Sequence, residues 1–205
     1  KRRTGAKVTA PRKAEDAVPD VDVAVGEGDL VRVGGLSAKV WETPGHCDDH
    51  VSYIFDEAGI AFAGDTLFTL GCGRVLEGPP ETLWTSLTRF LALPDATQVY
   101  SGHDYVLSNA RFALAVEPDN ARLAERMAEA EAAQGEGRFL IPTTMAAERA
   151  TNPFLRSDMP AIAQATGPMP EMRLPFIRIS PASGVTSPEM ELNSEVLPAP
   201  LGPIR

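Results

Sequence analysis

The stretch VSYIFDEAGIAFAGD, Val51 to Asp65, limits the fold more than any other. It holds two apolar runs separated only by DEAG. Each run is too short for a stable helix, and each is bounded by turn-forming residues, so both read as strands of a hairpin or as neighbouring strands. Earlier segments point the same way. VDVAV alternates, GEGD turns, LVRV leads to a second turn at GG, and LSAKVWET alternates as a half-buried strand does.

Helical patterns come later. Pro79–Pro80 opens ETLWTSLTRFLAL, where Leu83, Leu87, Phe90 and Leu91 share one face and Pro fits the first turn. TQVYSGHDY reads as a strand running into a loop, and VLSNARFALAV as a helix broken at Glu117–Pro118. Asp119 is the expected cap of the next helix, which stops at Gly135. GRFLIPTT is extended and MAAERA is a short helix. Residues 1–20 read as irregular. Strands first, then helices, describe an α+β chain whose sheet is covered by helices. The expected organisation is a sheet domain at 1–116, a helical region at 117–166 and a tail at 167–205. Residues 168–205 hold eight of the 18 prolines and no period, so the tail is expected to lack regular structure.

Charge and composition exclude several classes. A net charge of −9 argues against a nucleic-acid binder, whose footprint is basic. No stretch is apolar enough to span a bilayer, and the basic N-terminal residues precede no signal-type apolar region. Cys47 and Cys72 form no CxxC pattern, so no disulfide framework is expected, and a reducing cytoplasm is the default.

Polar residues recur at strand ends. His46 precedes the strand at Val51, Asp65 ends IAFAG, and His103 ends QVYSG. Each follows a glycine, Gly45, Gly64 or Gly102, which allows a sharp turn out of the sheet edge. Alone, each has an ordinary reading as a solvated imidazole or a turn-forming carboxylate. Together they favour a metal site, because neutral imidazole and carboxylate oxygen bind Zn, Fe or Mn, and a carboxylate can bridge two ions. His50 lacks the glycine context and reads as a supporting residue, while Asp48 and Asp49 read as solvated turn residues.

TPGH, GDTLFTLGCGRVLEG, YSGHDY, VEPDN and NPFLR, in this order, closely resemble the glyoxalase II (hydroxyacylglutathione hydrolase) branch of the metallo-β-lactamase superfamily over roughly the first 160 residues. The resemblance implies an αββα sandwich, incomplete at the N-terminus, followed by a small helical substrate-binding region. It implies two divalent metal ions, Zn foremost with Fe or Mn as alternatives. It implies hydrolysis of S-(2-hydroxyacyl)glutathione thioesters, such as S-D-lactoylglutathione to D-lactate and glutathione, by a monomeric cytoplasmic enzyme of methylglyoxal detoxification. His46 and His103 would each be a terminal ligand of one metal, and Asp65 would bridge them and serve the reaction. Water activated by the metals would attack the thioester carbonyl. Arg74, Tyr105 and Asn109 match positions that contact glutathione, whose carboxylates suit a cation and hydrogen-bond donors.

The sequence departs from the pattern. The family's HxHxDH motif, with four further ligands, is absent from these 205 residues and is expected upstream of Lys1. GHCDDH places Cys47 where Thr is usual and Asp49 where Gly is usual, and Leu76 stands where some members have an aromatic residue. Two further readings follow: a non-catalytic fragment or decayed homologue, and an iron-dependent persulfide dioxygenase of the same fold. VEPDN and NPFLR speak against the dioxygenase.

Overall fold

A computed structural model describes residues 1, 3–160 and 162, so the expected tail at 167–205 lies outside the described residues. Among the described residues, ten short strands and four α-helices follow one another. β1 (Thr9–Pro11) pairs in parallel with β2 (Val23–Val25). β3 (Leu30–Val33) and β4 (Leu36–Glu42) form a hairpin, turned by Gly34 at φ 59°. β5 (Val51–Phe55) and β6 (Ile60–Gly64) form the next hairpin, closed by a 3₁₀ turn and by Gly59 in the left-handed region. β7 (Leu67–Phe68) pairs with β8 (Gly71–Cys72). Then come α1 (Pro80–Phe90), β9 (Gln98–Ser101), α2 (Val106–Val116), α3 (Ala121–Gly135), β10 (Thr143–Thr144) and α4 (Met145–Thr151).

The main sheet has six strands in the order β10-β9-β6-β5-β4-β3. All its pairs are antiparallel except β6 with β9. Parallel neighbours need a long crossover, and the segment carrying α1 supplies it. This one parallel pair places the site. It brings the ends of β6 and β9 to the same edge of the sheet. The start of β5 arrives there too, because β5 runs antiparallel to β6.

Alternation assigns the two sheet faces. Ile54, Ala61, Ala63 and Val99 face α1 and form a core with Leu83, Leu87, Phe90, Leu93, Met145 and Leu155. Leu83, Leu87 and Phe90 are at most 1% exposed, and burying each such side chain contributes about 1.5–3 kcal/mol. On the other face, register lines up Val40, Tyr53, Phe62 and Tyr100. Phe62 stacks on Tyr100 at 5.1 Å and is left 44% exposed. Outside the main sheet, the described residues add only the β1–β2 and β7–β8 pairs. A second core, under α2 and α3, takes Leu70, Val106, Ala110, Ala113, Leu123 and Ala130.

The α+β organisation is as expected from the sequence, with three local corrections. The segment read as irregular contains β1, whose three residues pair only through a tertiary partner. The helix cap expected at Asp119 is Asn120, whose side chain accepts from the N–H of Arg122 and whose carbonyl opens the ladder to Leu123. The glycines before the three polar strand-end residues do not share one conformation. Gly45 and Gly64 have φ of 126° and 52°, whereas Gly102 has no positive φ. A Cβ on Gly102 would lie 2.4 Å from Asp65 Oδ1, so that glycine is required by close approach and not by a turn.

Candidate metal centre

His46, Asp65 and His103 meet at the shared sheet edge. Asp65 Oδ2 lies 3.6 Å from His46 Nε2 and 3.5 Å from His103 Nε2. These separations are too long for hydrogen bonds. Two donors on one tetrahedral ion, each at about 2.1 Å, stand about 3.4 Å apart, so both pairs are spaced as ligand pairs are. His46 Nδ1 lies 2.9 Å from the Arg74 carbonyl oxygen and must donate to it, which turns Nε2 toward Asp65. Metal-binding histidines are oriented in this way by a backbone carbonyl.

Asp65 Oδ1 is buried and has no hydrogen-bond partner within the protein. A buried carboxylate oxygen without a partner is costly. A cation at the carboxylate removes that cost, so the donor set fits a metal. Among the described residues no three His, Cys, Asp or Glu side chains close on a single ion. His46 with Asp65 and His103 with Asp65 are two pairs with ligand-like spacing.

The surroundings fix Asp65 firmly. Its backbone N–H donates to His50 Nε2 at 3.0 Å, and His50 Nδ1 meets Thr43 Oγ1 at 2.9 Å and Thr66 Oγ1 at 3.1 Å. Burial lowers the pKa of His50, which suits the neutral ring these contacts need. The ring also fills the space where a Cβ on Gly64 would come within 2.6 Å of it. His50 therefore supports the site, as the sequence suggests.

The three expected substrate contacts lie around this centre. Tyr105 is 48% exposed and stacks on His103 at 5.3 Å, while Phe68 meets both rings edge-on at 6.2 Å and 5.4 Å. Arg74 is exposed and tied to the site through its backbone. Asn109 spends an amide N–H on the Thr69 carbonyl at 2.9 Å, so it also braces the loop before Arg74. Of the departures, Leu76 is 64% exposed, and the Cys47 thiol is pushed up to about 12 by burial and then by a hydrogen bond with Asp49.

Sequence reasoning missed a polar group behind the same loop, Glu148 and Asn152, both buried, with the half-buried Arg126. MAAERA gives no sign that its glutamate is buried.

Two family models match. "Metallo-beta-lactamase superfamily" covers residues 2–103, and "Hydroxyacylglutathione hydrolase C-terminus" covers 104–182. A hydroxyacylglutathione hydrolase from Methylobacterium sp. (strain 4-46) is 68% identical over 170 residues, 83% of this chain and 67% of the relative. The chain belongs to the hydroxyacylglutathione hydrolase family. The family's member from Methylobacterium nodulans is 66% identical over the same shares of the two chains. The chain thus spans about two thirds of the length of these relatives. Among solved structures, ETHE1 from Myxococcus xanthus is similar at 34% identity and a TM-score of 0.52, covering 75% of this chain and 53% of that one. The metallo-β-lactamase fold expected from the sequence is therefore the fold of this chain.

Proposed function

We propose that the protein hydrolyses S-(2-hydroxyacyl)glutathione thioesters, S-D-lactoylglutathione among them, and that this chain carries the bridging carboxylate and one terminal imidazole for each of two divalent ions. The observation that carries the reading is Asp65, with Oδ2 placed between two imidazole nitrogens and Oδ1 buried without a partner. The relatives' name supports the substrate class.

His46, Asp65 and His103 would hold the ions, with Zn the first expectation. When bound, the ions supply Lewis acidity and an acidified water for attack on a thioester carbonyl. The protein's own part is to orient. The Arg74 carbonyl sets the His46 ring, His50 holds the Asp65 backbone, and Tyr105 and Phe68 pack around the His103 ring. A thiolate leaves readily, so little general-acid help is needed. Arg74 and Tyr105 would meet the glutathione moiety, with Asn109 assisting there and bracing the loop before Arg74. Residues 1–116 would form the metal-holding domain and 117–166 the substrate-binding region. A cytoplasmic monomer acting in methylglyoxal detoxification accords with this reading. No helix among the described residues is long and apolar enough to cross a membrane.

The HxHxDH ligands have no counterpart among the 205 residues. The test is loss of S-D-lactoylglutathione by the purified chain with added Zn²⁺, for the wild type and for Asp65→Asn. Consumption that requires both Zn²⁺ and Asp65 supports the reading. Zn²⁺ binding without consumption assigns this chain to metal holding alone, and neither binding nor consumption overturns the reading.

A further inference from the structure

We propose that Glu148, in the middle of α4, is a positioning residue for the metal centre: its carboxylate holds a left-handed turn at Leu70 and, through it, the loop that rests on all three metal-site residues. The inference rests on the metal-centre reading of His46, Asp65 and His103.

Glu148 is fully buried. Its Oε1 accepts from Arg126 Nη1 at 2.8 Å and Thr143 Oγ1 at 2.7 Å, and its Oε2 accepts from the Leu70 N–H at 2.9 Å and Asn152 Nδ2 at 2.8 Å. A carboxylate stays buried only when it is paired and hydrogen-bonded in this way. One of the four donors comes from the backbone of a segment 78 residues away. That bond joins the part matched by the superfamily model to the part matched by the hydrolase model.

The recipient is unusual. Leu70 has φ of 60°, a region that residues other than glycine enter only when the surroundings hold them there. A glycine would adopt the turn freely but would lose the side chain that fills the core beside Val106, Ala110 and Leu123. The turn is instead held from outside. Asn152, four residues after Glu148, also turns its amide toward the carbonyls of Phe68 at 3.3 Å and Gly71 at 3.0 Å, so its two hydrogens are shared among these carbonyls and Glu148 Oε2. Together, Glu148 and Asn152 grip the chain at 68, 70 and 71.

What they grip touches each metal-site residue. Phe68 lies edge-on to His103. The backbone at Gly73 passes so close to Asp65 that a Cβ there would come within 1.9 Å of the Asp65 carbonyl oxygen. The next residue, Arg74, supplies the carbonyl that orients His46. A displaced loop therefore moves both imidazoles and the carboxylate together.

The alternative is that Glu148 only stabilises the helical region. Three variants of the full chain separate the two. E148Q keeps volume and removes the charge. N152A frees the Phe68 and Gly71 carbonyls but leaves the Arg126–Glu148 pair intact, and it serves if E148Q does not fold. V116A damages the buried end of α2, outside the cluster that holds Leu70, without touching the loop bonds. Two quantities are measured: Zn²⁺ affinity by competition with a chromophoric chelator, and amide hydrogen exchange. E148Q and N152A are expected to weaken Zn²⁺ binding by about tenfold or more, the cost of losing groups that orient ligands. They should also speed exchange at Leu70 and Gly71 while sparing α1. V116A should lower the thermal midpoint yet leave Zn²⁺ affinity within about twofold. Wild-type-like affinity in E148Q and N152A, an equal loss in V116A, or exchange that rises uniformly overturns the proposal alone. A wild-type chain that binds no Zn²⁺ overturns the metal-centre reading, and the proposal with it.

Discussion

The backbone N–H of Asp65 donates to Nε2 of His50 at 3.0 Å, so the residue at the middle of the candidate site is held by a ring outside the candidate ligand set. Because Nε2 accepts, the proton sits on Nδ1 and points at the threonine hydroxyls of Thr43 and Thr66. His50→Ala would leave that N–H without a partner, while the two hydroxyls keep their bonds to Ser52 Oγ and the Thr43 carbonyl, at a cost of about 1–3 kcal/mol. Urea unfolding checks this value, and ¹⁵N spectra of the wild-type ring should show the Nδ1–H tautomer.

Gly102 tests the packing around the carboxylate. A methyl there would sit 2.4 Å from Asp65 Oδ1, so Gly102→Ala must push the carboxylate out of place. Gly135→Ala meets nothing within 4 Å and closes a helix, so it is neutral or stabilises by about 0.5–1 kcal/mol. Zn²⁺ titration of both should show loss of binding in the first and none in the second.

Arg89 clamps Glu27 with Nη1 at 3.0 Å and Nη2 at 2.7 Å while lying 4.7 Å over the Trp41 ring. This clamp holds the Glu27 carboxyl below its ordinary pKa. A depressed carboxylate adds stability above its unfolded pKa and loses it as pH falls through the folded value. The pair is half-exposed, so its contribution is about 0.5 kcal/mol after screening. Glu27→Gln should lower the urea midpoint at neutral pH, and the difference from wild type should vanish in strong acid.

Burial pushes the Cys72 thiol up, well out of the range in which a thiolate forms at neutral pH. Alkylation of Cys72 at pH 8 should therefore wait for unfolding. Mass spectrometry across a urea series should show its modification rising with the global transition, and early modification in the native state would contradict the packing of β8.

Some of this was readable in the residues and some was not. His46, Asp65 and His103 stood out because each follows a glycine at a strand end, which is a local signal. Their convergence was not local. It depends on β6 and β9 pairing in parallel across the crossover that carries α1, and no short-range pattern encodes that pairing. Glu148 looked like any surface charge in MAAERA, because its partners Leu70 and Arg126 come from distant segments. The strand at Thr9–Pro11 was invisible for the same reason, being too short to show alternation. The shift of a helix cap from Asp119 to Asn120 reflects two adjacent residues able to serve, decided by which carbonyl starts the ladder.

The proposed function rests on Asp65 being shared between two ions, each with its own histidine. The most direct measurement is the number of Zn²⁺ ions bound per chain in an equilibrium titration of the wild type and of His46→Ala, His103→Ala and Asp65→Asn. The expected result is two ions for the wild type, one for each histidine variant and none for Asp65→Asn. Wild-type stoichiometry in Asp65→Asn, or loss of both ions in a single histidine variant, would contradict a shared carboxylate.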